Sequence, residues 1–338
     1  MLPAILGLSG PALTPDERRL FGEAQPAGFI LFARNVADPD QLRALTDSLH
    51  EATGRGDLLI MVDQEGGPVA RLRPPHWPDF PAAARFGALY ETAPISGMEA
   101  ARVNALAMAL VLRDAGINVT TLPLLDLRHD GAHPVIGERS FGSDPLAVAA
   151  LGRAALDGLA EGGVAGVIKH LPGHGRAEAD SHVTLPIVSA SEEELAADLL
   201  PFERLAARAR IGMVAHVLYS AWDSDRAASV SPTVIGQVIR GRIGFDGLLV
   251  SDDIAMEALT GSVEERASAV LAAGCDLALC CSGDFEESAR LARALPRLGA
   301  SAAERLARAF LAPPRRTPSI AEVLAKRDAL LARADPSN

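Results

Sequence analysis

The 338-residue chain is short of cysteine, of basic charge and of long unbroken apolar runs. Its three cysteines, Cys275, Cys280 and Cys281, crowd into one apolar stretch. An odd, clustered set makes a poor disulfide framework, so buried free thiols in a reducing compartment are expected. Metal ligation by "CDLALCC" is disfavoured, because a strand points Cys280 and Cys281 to opposite faces. Lysine and arginine number 32 against 43 acidic residues, a net charge of -11. Such a surface repels nucleic acid and anionic membranes, and neither is an expected partner. No apolar stretch approaches a membrane span. The opening "MLPAILGLSG" lacks the basic region of a signal peptide, so a cytoplasmic location is expected. A glycine-rich phosphate fingerprint is absent too: "GLSGPALT" after the first strand does not match one, which argues against an open dinucleotide-binding sheet.

What is present is an alternation of short apolar runs with helical patterns. The runs "AILGLSG" (4–10), "GFILFAR" (28–34), "LLIMVDQ" (58–64) and "VTTLPLLDL" (119–127) are followed by "GVIKH" (166–170), "IGMVAHV" (211–217), "GLLVSDD" (247–253) and "DLALCC" (276–281). They are continuous in polarity, as parallel strands buried on both faces require. Helical spacing marks 40–53, 97–116 and 191–209, the last opening on a Ser191–Glu194 capping box. Eight strands alternating with helices predict an α/β fold, a single-domain (β/α)8 TIM barrel over residues 1–312. "APPRRTPS" from 312 punctuates the chain, and 313–338 is expected to be a helical tail docked on the barrel.

In such barrels the active site lies at the C-terminal ends of the strands. There the sequence places Asp63-Gln64-Glu65, Lys169-His170, His216 and Asp252-Asp253. One charge after a strand commonly caps a helix; so many converging on one rim point to chemistry. Asp252 is assigned to the pocket and Asp253 to capping a helix that starts near Ile254. A carboxylate in a barrel mouth can attack an anomeric carbon to form a covalent glycosyl-enzyme. The partner acid is normally a second carboxylate, for which Glu65 and Glu138 are candidates. "KHLPGHGRAEADSH" offers another solution, since Asp180 can fix the tautomer of His182 while its other ring nitrogen faces the substrate. Lys169 suits sugar oxygens, and Arg71 and Arg139 can clamp a polar ligand. The glycines around His174 suggest a tight turn, and "GHGRAEA" a mobile flap carrying His182.

"DQEGG", "GERSFG", "KHLPGHG" with "DSH", "AHVLY" and "SDDIAMEA" occur in this order. Together they resemble the family 3 glycoside hydrolases, and within them the single-domain bacterial β-N-acetylglucosaminidases of cell-wall recycling. The resemblance covers residues 1–312. It implies a TIM barrel that removes terminal non-reducing β-1,4-linked N-acetylglucosamine from 1,6-anhydro-muramoyl fragments, peptide-bearing ones included, with retention. It places the nucleophile on Asp252, the acid/base on His182 supported by Asp180, and sugar binding on Asp63, Arg71, Arg139, Lys169 and His170. It implies a small-molecule carbohydrate partner and no metal or organic cofactor; a monomer is expected. Pro68 stands where the family often has a basic residue after "EGG", which removes one loop ion pair. The short chain favours the recycling enzyme over a polysaccharide-degrading β-glucosidase. Two rivals remain: a metal-dependent hydrolase using His170, His174, His182, Asp180 and His216, and a non-catalytic muropeptide sensor.

Overall fold

Continuous apolar strands need cover on both faces, and a closed barrel wrapped in helices supplies it. The computed structural model describes residues 1–181, 183–312 and 318–333. Its strands are β1 (Leu2–Gly7), β2 (Pro26–Leu31), β3 (Leu59–Val62), β4 (Val119–Thr120), β5 (Ala165–Leu171), β6 (Ile187–Val188), β7 (Ile211–Val214), β8 (Leu218–Tyr219), β9 (Leu248–Asp253) and β10 (Leu277–Cys280). All but β6 and β8 close into a parallel barrel in chain order, β10 returning to β1. This is the (β/α)8 barrel expected from the sequence. The other two pair as a separate ladder.

Each strand serves two cores. Ile5, Leu59, Met61, Val167, Ile211, Met213, Leu248, Val250, Leu277 and Leu279 fill the barrel interior. Their alternates Leu6, Ile60, Val62, Ile168, Val214, Leu249 and Cys280 pack outward against the helices. Burying each large apolar side chain contributes roughly 1.5–3 kcal/mol, and neither set can be exposed without losing the other's register.

The helices are α1 (Pro15–Ala24), α2 (Pro39–Thr53), α3 (Ala83–Thr92), α4 (Pro94–Asp114), α5 (Pro145–Glu161), α6 (Glu192–Leu205), α7 (Val263–Ala273), α8 (Phe285–Ala294), α9 (Ala300–Ala309) and α10 (Ile320–Leu331), with a π-helical segment over Val234–Arg242. The Ser191–Glu194 capping box forms as expected. Three expectations are corrected. The run 119–127 is strand only at Val119–Thr120, because Pro123 has no N–H to donate to the ladder. The helix expected near Ile254 is a series of turns, and α7 begins only at Val263 behind a Ser262–Glu265 capping box. Arg266 Nη1 reaches back to the carbonyls of Ile254 and Met256 at 3.0 Å each and holds those turns. Finally, α4 is long and apolar enough to cross a membrane, with mean hydropathy 1.4, but 72% of that window is buried within the protein.

Part of the expected tail, 318–333, is described; residues 313–317 and 334–338 lie outside the described residues. Its helix α10 packs on α4: Lys326 Nζ lies 2.5 Å from Glu99, and Arg327 Nη1 donates to the Asp79 carbonyl at 2.9 Å.

Helix α5 crosses α4 with main chains nearly touching, since a Cβ on Gly158 would lie 2.0 Å from the Arg102 carbonyl oxygen. Gly158→Ala gains about 1 kcal/mol of helix propensity. The clash is with backbone that cannot swing aside, and overpacking costs about 1–3 kcal/mol. The variant is therefore expected to unfold at lower denaturant than wild type; an unchanged or raised midpoint would show that the two helices slide apart freely.

Candidate active site

The two-residue period of the strands also aims the polar groups. Inward-facing Met61 is followed two residues later by Asp63, Val167 by Lys169, Val250 by Asp252 and Leu279 by Cys281. These four line a cavity of about 700 Å3 in the barrel mouth, with Phe32, Arg34, Glu65, Arg71, Val135, Glu138, Arg139, His170, His174 and Ser181 among the remaining walls. Ile30 and Met213 are lining residues as well as members of the barrel interior, so the barrel's own core forms the floor. His170, next to Lys169, faces the same cavity; the peptide joining them is cis.

Of the expected site residues, Asp63, Arg71, Arg139, Lys169, His170 and Asp252 all meet here. Arg71 Nη2 donates to Asp63 Oδ2 at 2.9 Å, and Thr121 Oγ1 donates to Asp63 Oδ1 at 2.8 Å. The Gln64 side chain staples the loop that carries Arg71: its Oε1 accepts from the main-chain N–H groups of Arg71 and Leu72 at 2.8 and 3.0 Å. Arg73 adds a bond to the Pro68 carbonyl at 2.8 Å. The loop is thus supported without the basic residue that Pro68 replaces.

Glu65 gathers two more of the cations. It takes a two-pronged pair from Arg139, 2.9 Å at each oxygen, and lies 2.5 Å from Lys169 Nζ. Burial pushes its pKa up, but Lys169 and Arg139 outweigh that and hold it at about 2. A carboxyl ionised so firmly has no proton to give at neutral pH, which removes Glu65 from the candidate acids.

Asp126, which sequence reading passed over in "LLDLR", is buried beneath His170. It accepts the His170 Nδ1 proton at 2.7 Å and the backbone N–H groups of His170 and His174 at 3.1 and 2.7 Å. The carboxylate can only accept, so Nδ1 of His170 carries the proton and Nε2 is left to the cavity. Burial raises the Asp126 pKa, and the two histidines together with these bonds bring it below the ordinary aspartate range. The strand of this run ends at Thr120, so no strand period carries on to Asp126 to mark it.

Asp252 is 7% exposed, and its Oδ1 accepts from the Asp253 N–H at 2.9 Å. Burial opposes ionisation, yet His170, His216, that N–H and Lys169 prevail, and its pKa lies below the usual aspartate value. It is therefore an anion at neutral pH. Asp253 accepts from Ala255 and Cys281 N–H, both at 3.0 Å, and burial raises its pKa. It serves a turn and strand β10 rather than the expected helix.

His216 does not reach the rim as expected. Ile211 and Met213 face inward, which turns His216 outward, and it is fully buried. Its Nε2 donates to the Asp253 carbonyl at 3.0 Å, so its Nδ1 accepts from Ser229 Oγ at 2.6 Å. It clamps the strand that presents Asp252.

The histidine-rich loop is also more fixed than expected. His170–Ala177 is anchored by Tyr219 Oη to the Gly173 carbonyl at 2.7 Å, by Arg176 to buried Asp198 at 2.6 Å, and by His133 N–H to the Ala177 carbonyl at 2.9 Å. These bonds and the burial of Ala177 tie the stretch from Gly173 to Ala177 to the barrel. Asp180 sits in the next turn, its carbonyl accepting from Val183 and Thr184; Ser181 lines the cavity. His182 lies outside the described residues. Among the described residues no group of three or more His, Cys, Asp or Glu side chains is arranged to hold a metal ion.

A pocket in a barrel mouth that gathers a buried anion with ion-paired arginines and a lysine is the site of an enzyme acting on a polyhydroxylated ligand. The glycosyl hydrolase family 3 N-terminal domain matches residues 8–309, and the chain belongs to that family of glycoside hydrolases. The β-hexosaminidase of Thioalkalivibrio sulfidiphilus is 41% identical over 87% of this chain and 84% of its own length. NagZ from Neisseria gonorrhoeae, solved with N-trifluoroacetyl-D-glucosamine, superposes with a TM-score of 0.88 at 33% identity, covering 99% of this chain and 98% of that one. A family 3 β-N-acetylglucosaminidase from Paenibacillus gives 0.81 at 34% identity, over 98% of this chain and 61% of the other.

Two outcomes follow from the site's electrostatics. Glu65→Gln leaves two buried cations facing one neutral amide. Breaking such a pair costs about 3–5 kcal/mol, which denaturant titration would register; a loss under 1 kcal/mol would mean that Arg139 and Lys169 find other partners. Burial holds His174 and His216 below the ordinary histidine pKa. Above about pH 6.5 neither folded nor unfolded chain protonates them; below it the unfolded chain takes protons that the folded one refuses. The thermal midpoint should fall between pH 7 and 5, less steeply in His216→Gln, and identical slopes in both proteins would contradict the assignment.

Proposed function

We propose that this protein is an exo-acting β-N-acetylhexosaminidase. It releases terminal non-reducing β-1,4-linked N-acetylglucosamine from 1,6-anhydro-muramoyl fragments, with or without peptide, in the recycling of peptidoglycan. The observation that carries the reading is Asp252: a buried, ionised carboxylate presented by an inward strand position, in a donor-lined cavity closed by the barrel core. The names of the hexosaminidase and NagZ relatives support the sugar specificity. Free thiols at all three cysteines support a cytoplasmic site of action.

In the first step Asp252 attacks the anomeric carbon from one face as the glycosidic C–O bond breaks on the other. The departing oxygen takes a proton from His182, whose imidazole Asp180 orients. In the second step a water gives its proton back to His182 and its oxygen to the anomeric carbon, releasing Asp252 and retaining the configuration. Asp63, Arg71, Arg139, Lys169 and His170 hold the sugar's oxygens. Their ion pairs keep them rigid before it arrives, so little ordering remains to be done on binding. With the floor closed, a chain enters by its end, which supports exo cleavage.

The test is hydrolysis of an aryl N-acetyl-β-glucosaminide and of an anhydro-muramoyl disaccharide. Asp252→Ala should lose turnover by orders of magnitude, and a 2-fluoro or 5-fluoro sugar should label Asp252 on peptide mapping. Near-wild-type turnover in the variant, or a label elsewhere, would refute the nucleophile. His182→Ala should harm poor leaving groups more than good ones, because only poor ones need the proton; equal losses would refute the acid.

A further inference from the structure

Three buried imidazoles surround the Asp252 region, and two of them are committed. His170 is pinned by Asp126, and His216 is held at both nitrogens by Ser229 and Asp253. His174 differs. Its ring lines the cavity, is 4% exposed, and no described residue hydrogen-bonds it; Nδ1 is buried with no partner among the described residues. Yet its position is built with care. Asp126 holds its main-chain N–H at 2.7 Å. Gly173 adopts φ of +136°, and Gly175 has no room for a Cβ, which would lie 2.0 Å from the Leu127 carbonyl oxygen. The ring stands edge-to-face to His170 at 5.5 Å.

A buried polar side chain so fixed and so unpaired costs stability, which is the signature of a group reserved for a ligand. We propose that His174 contacts the substrate, donating a hydrogen bond from Nε2 to an oxygen of the sugar seated against Asp252; this rests on the glycosidase reading above. The tautomer follows from the burial of Nδ1. A buried N–H without a partner is rarer and costlier than a bare ring nitrogen, so the proton sits on Nε2, the side left for the cavity. Burial and the neighbouring His170 keep the ring neutral, against the pull of Asp126 and Asp252. His174 therefore offers a sugar oxygen a donor that adds no second cation beside the nucleophile. Packing alone is the competing explanation, and the two differ in what a phenyl ring would do.

His174→Phe fills the same space without a donor, and His174→Gln restores an N–H. With the aryl substrate, Phe is expected to lower kcat/KM about tenfold or more, the loss appropriate to one hydrogen bond, and to weaken inhibition by free N-acetylglucosamine in parallel. Gln should recover part of both. A folded Phe variant within twofold of wild type on both measures would overturn the proposal. If Phe fails to fold, nitrogen-15 spectra of the wild-type imidazole decide. A proton on Nε2 that shifts when N-acetylglucosamine is added is the expected result, and a ring unchanged by saturating sugar overturns it. Wild-type protein inactive on the aryl substrate would instead sink the glycosidase reading itself, while the spectra still report on His174.

Discussion

The alternation of side chains across parallel strands, locked by closing the sheet into a ring, aims the groups that the strand ends carry into the pocket. Leu59 and Met61 point into the barrel, so Asp63 does as well; Val167 does, so Lys169 does; Leu248 and Val250 do, so Asp252 does. The apolar residues beneath set the direction of the polar ones above, because a one-residue slip would bury charge in the helical layer and expose the core. The same parity sends His216 the other way, into a structural clamp behind β9. Binding and stability thus share one register.

A second constraint is charge burial. The pocket collects cations and anions in a low-dielectric mouth, where a lone charge is very costly. Arg71 is paired with Asp63, and Arg139 and Lys169 share Glu65. The pairing does more than reduce that cost. It freezes long side chains that would otherwise lose rotamer freedom on meeting a sugar. Asp252 is the exception: among the described residues no guanidinium or ammonium is bonded to it, and it is stabilised by one N–H and by the field of nearby histidines and Lys169. An anion stabilised at a distance, rather than capped by a salt bridge, remains free to bond to carbon.

The histidine loop shows how local chemistry and tertiary anchoring divide a segment. Lys169, His170 and His174 belong to a fixed block tied to Asp126, Asp198 and Tyr219. Asp180 lies past that block, in a separate turn. Glycine and proline in the sequence suggested one long flexible excursion. They are used instead for close approach, as at Gly175 against Leu127.

The sequence by itself determined the barrel, because eight apolar runs of strand length separated by helical patterns admit few other packings. It also determined which residues reach the pocket wherever a run continued unbroken into a charge, as at Asp63, Lys169 and Asp252. It did not disclose Asp126, which lies past the strand end at Thr120, nor the commitment of Glu65 to two cations 74 and 104 residues away, Arg139 and Lys169. It placed His216 on the rim and a helix after Asp253, and both were wrong. Partner choice was invisible for a physical reason. Periodicity records which face a side chain takes, a property of its own strand. Whether a carboxylate there is a nucleophile, an ion-pair hub or a capping group depends on the charges that distant strands bring within 3 Å, and only the closed barrel decides that.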